Sequence, residues 1–211
     1  MPSILTILRT ALATLALTAI GRQLMLHIAG SYSVLNFFSY FTNLSNLLAA
    51  TVLLLCAFTT SSSNQRSIGL ARYVSVVNMS VVGLVFAVLL RDVDLGSLLP
   101  WVNLVLHYVM PVGVVLDWLV NPPALKLRSN SLFLALIFPA IYLAYVVLRG
   151  AATGWYPYPF LNPANVAGYG GVAMYSLGIT STFFLASWLL LAVGNHLAIL
   201  KAADAGANPS L

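Results

Sequence analysis

The apolar stretch from Leu99 to Trp118 could lie within a bilayer, yet it carries a histidine, His107. An ionisable side chain inside a membrane segment is costly and marks a functional site by default. On a helix, Asn103, His107, Pro111, Val114 and Trp118 share one stripe, with Asn103 one turn from His107 and able to orient its ring. A neutral imidazole can take a proton from a hydroxyl, so the next question is which hydroxyl lies at its depth. The segment Asn36–Asn46 supplies candidates. Ser39, Thr42, Asn43, Ser45 and Asn46 cover an arc of roughly 160°, while Tyr40, Phe41, Leu44, Leu47 and Leu48 take the other side. Thr42 lies about five residues into its helix, roughly 8 Å down at 1.5 Å per residue. A fourth helix beginning at Pro100, a residue suited to the first turn, puts His107 about 10 Å down. The two residues can therefore meet in one half of the membrane. There His107 would take the threonine proton and the alkoxide would attack an acyl carbonyl. Composition and spacing leave a second reading open, in which His107 only satisfies hydrogen bonds between helices.

The elements that must position this pair follow from composition. The chain has 211 residues, 61% hydrophobic and 6% charged, against roughly a quarter charged in a soluble domain. That excludes a soluble globule and predicts an all-α, multi-pass integral membrane protein. Spans of about 20 apolar residues fall near 5–27, 37–60, 72–91, 98–120, 131–149 and 167–199, six in all. The first is too long for a signal-peptide core, lacks a clear cleavage site and contains Arg22, so it counts as a span. Residues 1–201 form one transmembrane domain, residues 61–71 a flexible connection, and residues 202–211 a disordered tail.

Charge placement sets the expected orientation. With the N-terminus inside, Arg9, Arg66, Arg72, Lys126, Arg128 and Lys201 are cytoplasmic, and only Arg91 and Arg149 lie in outer loops. This bias predicts that both termini are cytoplasmic, in the cell (inner) membrane if the source is bacterial. The net charge of +5 is spread over short loops and gives no reason to expect a nucleic-acid partner. Cys56 is the sole cysteine, so no intrachain disulfide can form.

Other chemistries fare poorly by counting. A six-helix haem protein needs facing histidines, but His27, His107 and His196 fall at different depths. Zinc lacks a second ligand near His107, because Asp117 is about 80° round the helix and three turns deeper. Asp117 reads as a solvated or arginine-paired helix end, and Arg91, Asp92 and Asp94 as a solvated turn. No metal and no organic cofactor is expected. Gly171, Tyr175, Gly178 and Thr182 form a small-residue stripe in the last helix, read as close helix packing or as a groove for an acyl chain, with Tyr175 on its wall. Arg22 either snorkels to the interface or binds a substrate carboxylate. The segment Gly154–Pro163, rich in proline and aromatics, reads as an interfacial aromatic belt, a lid over an outward cavity, or both.

Three stretches carry a family resemblance: Tyr40-Phe-Thr-Asn-Leu-Ser-Asn46, Leu99-Pro-Trp-Val-Asn-x-x-x-His107 with Pro111 and Asp117-Trp118, and Trp155-Tyr-Pro-Tyr-Pro-Phe-Leu-Asn-Pro163. Together they resemble the bacterial "Pr-six-Pr" six-helix membrane proteins, related to the androgen-induced gene and androgen-dependent coagulation-regulator proteins of animals. The resemblance implies a threonine hydrolase acting on fatty acid esters of hydroxy fatty acids, with Thr42 as nucleophile and His107 as base. Helical position adds Asn103 to hold the imidazole and Asn43 or Asn46 to donate to the oxyanion. The expected partner is a lipid ester drawn from the membrane. The alternatives are a small transporter or lipid-binding protein using the same polar cavity, or an accessory subunit that binds a partner through its aromatic loop.

Overall fold

A computed structural model describes residues 3–59, 65–94 and 96–206. Among them there is no strand, and six helices are long and apolar enough to cross a membrane. These are α1 (Ile4–Ala29), α2 (Phe41–Phe58), α3 (Gln65–Leu90), α4 (Pro100–Val120), α5 (Ser131–Thr153) and α6 (Gly168–Gly206). A short helix, Val34–Phe38, precedes α2, and a 3-10 turn, Pro159–Leu161, lies between α5 and α6.

Local chemistry sets several of these boundaries. Ser3 caps α1 by accepting the Thr6 N–H at 3.2 Å. Pro100 starts α4, where its missing N–H costs nothing. Gly154 ends α5 at φ 72°, a conformation that glycine adopts without strain. Two boundaries differ from the sequence reading. The polar connection expected over 61–71 is already helical from Gln65, and residues 60–64 lie outside the described residues. The last helix reaches Gly206, past the start of the expected tail, while residues 207–211 lie outside the described residues.

The helix α3 is central and touches α2, α4, α5 and α6. Its Tyr73, Val76, Val77 and Met79 are fully buried. The α1–α2 contact is made close by small residues, with Ala13, Ala16 and Ala19 on one helix and Ala49 and Ala50 on the other, all buried. At the end of the bundle remote from Thr42, polar bonds lock the helices. Trp118 Nε1 donates to Leu190 O at 3.1 Å, and Tyr73 donates to Ser187 O at 2.7 Å. The Asn195 side chain bonds both backbone groups of Leu127, holding the α4–α5 connection against α6.

Asp117 is arginine-paired, as one branch of its sequence reading had it, but it is buried rather than solvated. One carboxylate oxygen accepts from Arg9 Nε at 2.6 Å and the other from Arg72 Nη2 at 2.7 Å. The Arg72 guanidinium also lies over the Trp118 ring, 5.6 Å from its centroid. This triad ties α1, α3 and α4 together away from water.

Candidate active site

The start of α2 is set by tertiary contacts. Tyr40 is extended and provides no side-chain cap. The free N–H of Thr42, in the first turn, instead donates to the Tyr158 hydroxyl at 3.3 Å. Tyr142 donates to Ser39 O at 2.8 Å, where the chain breaks between the short helix and α2. Ser39 therefore does not belong to the Thr42 helix, contrary to the continuous polar face expected from residue 37 onward. The face itself holds for Thr42, Asn43, Ser45 and Asn46, which are buried, while Leu44, Leu47 and Leu48 are half-buried. Phe41, expected on the outward side, is buried among Phe138, Tyr142 and Phe183, because α5 and α6 cover that side of the helix start.

His107 sits in a π-helical turn, Val105–Val109, within α4. Pro111 explains the widened turn. It has no N–H to give a carbonyl one turn back, and the Met110 N–H reaches Val105 O instead. The Leu106 carbonyl is then bonded from outside its helix, by Asn46 Nδ2 at 3.2 Å. The same Asn46 amide donates to Thr42 O at 2.9 Å. One side chain thus joins the turn carrying the threonine to the turn carrying the histidine. Asn46→Leu is expected to lower stability by about 1–3 kcal/mol through the stranded Leu106 carbonyl, read as a lower melting temperature in detergent.

These turns bring Thr42 Oγ1 to 3.3 Å from His107 Nε2. On the other side of the ring, His107 Nδ1 lies 3.3 Å from Asn103 O. With the Nδ1 proton donated to that carbonyl, the Nε2 lone pair faces the threonine hydroxyl. Phe86, at the start of the π-helical end of α3, stacks on the imidazole with centroids 4.0 Å apart. The ring is therefore held on one face and at both nitrogens.

Thr42 also lines an apolar cavity of about 630 Å³ between α2, α3, α5 and α6. Pro139, Leu143, Ile179 and Phe183 also line it. Pro139, inside α5, deprives the Ala135 carbonyl of its helical donor. The rim residues Ala140, Ala144 and Thr180 are exposed, so the opening lies on the lipid-facing side between α5 and α6. Tyr158, Phe160 and Leu161 of the aromatic segment close the cavity near Thr42. Tyr158 stacks on Phe160 at 5.2 Å and meets Tyr40 edge-on at 5.7 Å. Gly150 makes room for this segment, since a Cβ there would clash with the Tyr156 ring.

The family model for FAR-17a/AIG1-like proteins matches residues 11–195. The chain belongs to the FAR-17a/AIG1-like family. No curated protein and no solved structure matches it. In this family member, Thr42 and His107 are brought together, while the other residues selected from sequence divide. The Asn103 side chain is not what meets the ring; its backbone carbonyl does, and its Oδ1 has no partner among the described residues. Asn43 and Asn46 are the expected oxyanion donors, but neither lines the cavity, Asn46 uses both amide N–H groups to hold the chain and Asn43 uses one. Asn43 Nδ2 donates to Phe37 O at 2.8 Å, and Asn46 Nδ2 makes the two bonds given above. Arg22 is exposed and lines neither cavity.

Tyr175 lines a second groove of about 720 Å³, between α3 and α6 beside the first cavity. Gly171, Gly178 and Thr182 line it as well, and Gly178 has open space where a Cβ would stand. The small-residue stripe therefore forms a groove and not a tight helix contact. Sequence reading missed Tyr158. The aromatic segment was conspicuous, but nothing in its spacing says which ring returns to Thr42.

Proposed function

We propose that this protein is an intramembrane lipid-ester hydrolase with Thr42 as nucleophile and His107 as general base and acid. The observation that carries the reading is the 3.3 Å approach of His107 Nε2 to the Oγ1 of Thr42, a residue that lines an apolar cavity open toward lipid. The cavity falls within the roughly 300–1,000 Å³ typical of small-molecule sites. Its apolar lining suits an acyl chain, with the ester carbonyl at Thr42. Fatty acid esters of hydroxy fatty acids are the substrates that the family resemblance suggests. The distribution of Lys and Arg supports a dyad in the outer half of the membrane, with both termini cytoplasmic.

In the first step Thr42 Oγ1 forms a bond to the ester carbon as its proton passes to His107 Nε2. The carbonyl electron pair moves onto oxygen. When the intermediate collapses, the C–O bond to the leaving alcohol breaks and that alcohol takes the proton from His107. Water then repeats the sequence on the acyl-threonine, releasing the acid and restoring both side chains. The Asn103 carbonyl stabilises the imidazolium that forms in each half-reaction, the role a carboxylate plays in a triad.

Fluorophosphonate labelling of purified protein, with the adduct located by mass spectrometry, tests the reading. An adduct on Thr42 that disappears in His107→Ala is the expected result. No adduct, in folded protein whose cavity admits the probe, would overturn it and favour a lipid-binding or transport role.

A further inference from the structure

We propose that the Tyr158 hydroxyl is the oxyanion donor for attack by Thr42. The inference rests on the hydrolase reading and adds a catalytic residue to it. A tetrahedral intermediate needs a donor aimed at the developing oxygen charge; Asn43 and Asn46 do not line the cavity, and Asn46 has both its amide N–H groups on backbone carbonyls. Among the residues lining the cavity, Thr42, Tyr142, Tyr158, Ser176 and Thr180 carry hydroxyls. Tyr142 donates its proton to Ser39 O. Tyr158 is the one hydrogen-bonded to the backbone of Thr42, and it does so as acceptor, from the Thr42 N–H at 3.3 Å. Its own proton is therefore left to turn toward the cavity.

The setting suits that task. The hydroxyl sits over the first turn of α2, where the helix dipole favours negative charge. The ring is fixed by stacking on Phe160 and by the edge of Tyr40, so the donor needs little reorganisation when charge develops. A tyrosine phenol is already protonated at neutral pH at its ordinary value of about 10, and burial moves Tyr158 further up.

A structural role as helix cap makes different predictions. As a cap, Tyr158 acts by accepting a hydrogen bond; as an oxyanion donor, it acts by giving one. The test measures the rate of fluorophosphonate labelling of Thr42 in wild type, in Tyr158→Phe and in protein with 3-fluorotyrosine at position 158, with Thr42→Ala as the blank for labelling elsewhere. Attack on phosphorus, with loss of fluoride, builds negative charge on the phosphoryl oxygen at the same place as an ester oxyanion. Tyr158→Phe, normalised to folded protein, is expected to label at least about tenfold more slowly. The fluorinated phenol is a stronger donor and a weaker acceptor, and it should label at least as fast as wild type. Labelling of Tyr158→Phe within twofold of wild type overturns the proposal while the hydrolase reading stands. If Tyr158→Phe does not fold, the fluorinated protein decides: slower labelling than wild type means a cap, equal or faster labelling means a donor. Absence of Thr42 labelling in wild type overturns both readings at once.

Discussion

Thr42→Ala is expected to fold and insert normally while hydrolysing a long-chain lipid ester at least about 10³-fold more slowly than wild type. The hydroxyl makes one side-chain hydrogen bond, to His107 Nε2, and losing such a bond costs only about 1 kcal/mol. Alanine is also a better helix former than threonine in the first turns of α2. Thr42 N–H still reaches Tyr158, and Asn46 still bridges the two helices through backbone carbonyls. The change therefore separates chemistry from scaffold. Thr42→Ser keeps the oxygen but loses the β-branch that restricts its rotamer, and should retain activity within about tenfold. Turnover of a fluorogenic long-chain ester in detergent or proteoliposomes, alongside thermal melting, checks both variants. Equal hydrolysis by Thr42→Ala and wild type would sink the assignment.

The second large effect is on stability. Asp117→Ala leaves two buried guanidinium groups without their carboxylate. Breaking a buried ion cluster from one side costs about 3–5 kcal/mol, because the remaining charge stays desolvated. Arg9 Nη2 and Arg72 Nε have no partner among the described residues even in the intact triad, and in the variant Arg72 Nη2 keeps its bond to the backbone carbonyl at position 117. The variant should melt far below wild type or fail to accumulate in the membrane. Arg9→Met is expected to be milder than Asp117→Ala. It removes the surplus charge of two arginines on one carboxylate and leaves the Arg72–Asp117 pair intact. If Asp117→Ala melts like wild type, the triad does not hold α1, α3 and α4 together.

Much of this was open to reading along the chain. Six long apolar segments among so few charges leave helices as the way to satisfy backbone polar groups in lipid. Periodicity alone put Thr42, Asn43, Ser45 and Asn46 on one face of their helix. The depth match assumed a helix running on from residue 37; α2 begins at Phe41, and it is the fold that sets Thr42, in its first turn, beside His107. The oxyanion donor is not legible from periodicity, for a specific reason. An asparagine on the right face has the right chemistry, but its amide protons go to whichever carbonyl lies nearest, and that is settled by neighbouring helices. Asn46 was claimed by the Leu106 carbonyl because Pro111 left the π turn short of a donor.

Two more features were decided across the fold. The Gly171–Thr182 stripe has the composition of a close helix contact, yet Gly178 faces open space, since a small residue permits approach without compelling it. Tyr158 is more than a hundred positions from Thr42 in sequence, and the two meet because the α5–α6 connection folds back over the start of α2. The sequence by itself determined the long helices and their apolar and polar faces, because these follow from repeats of a few residues and from the length of chain a bilayer requires. The tertiary structure decided which donor meets which acceptor, because hydrogen bonds act over about 3 Å and depend on angles between helices that no local periodicity encodes.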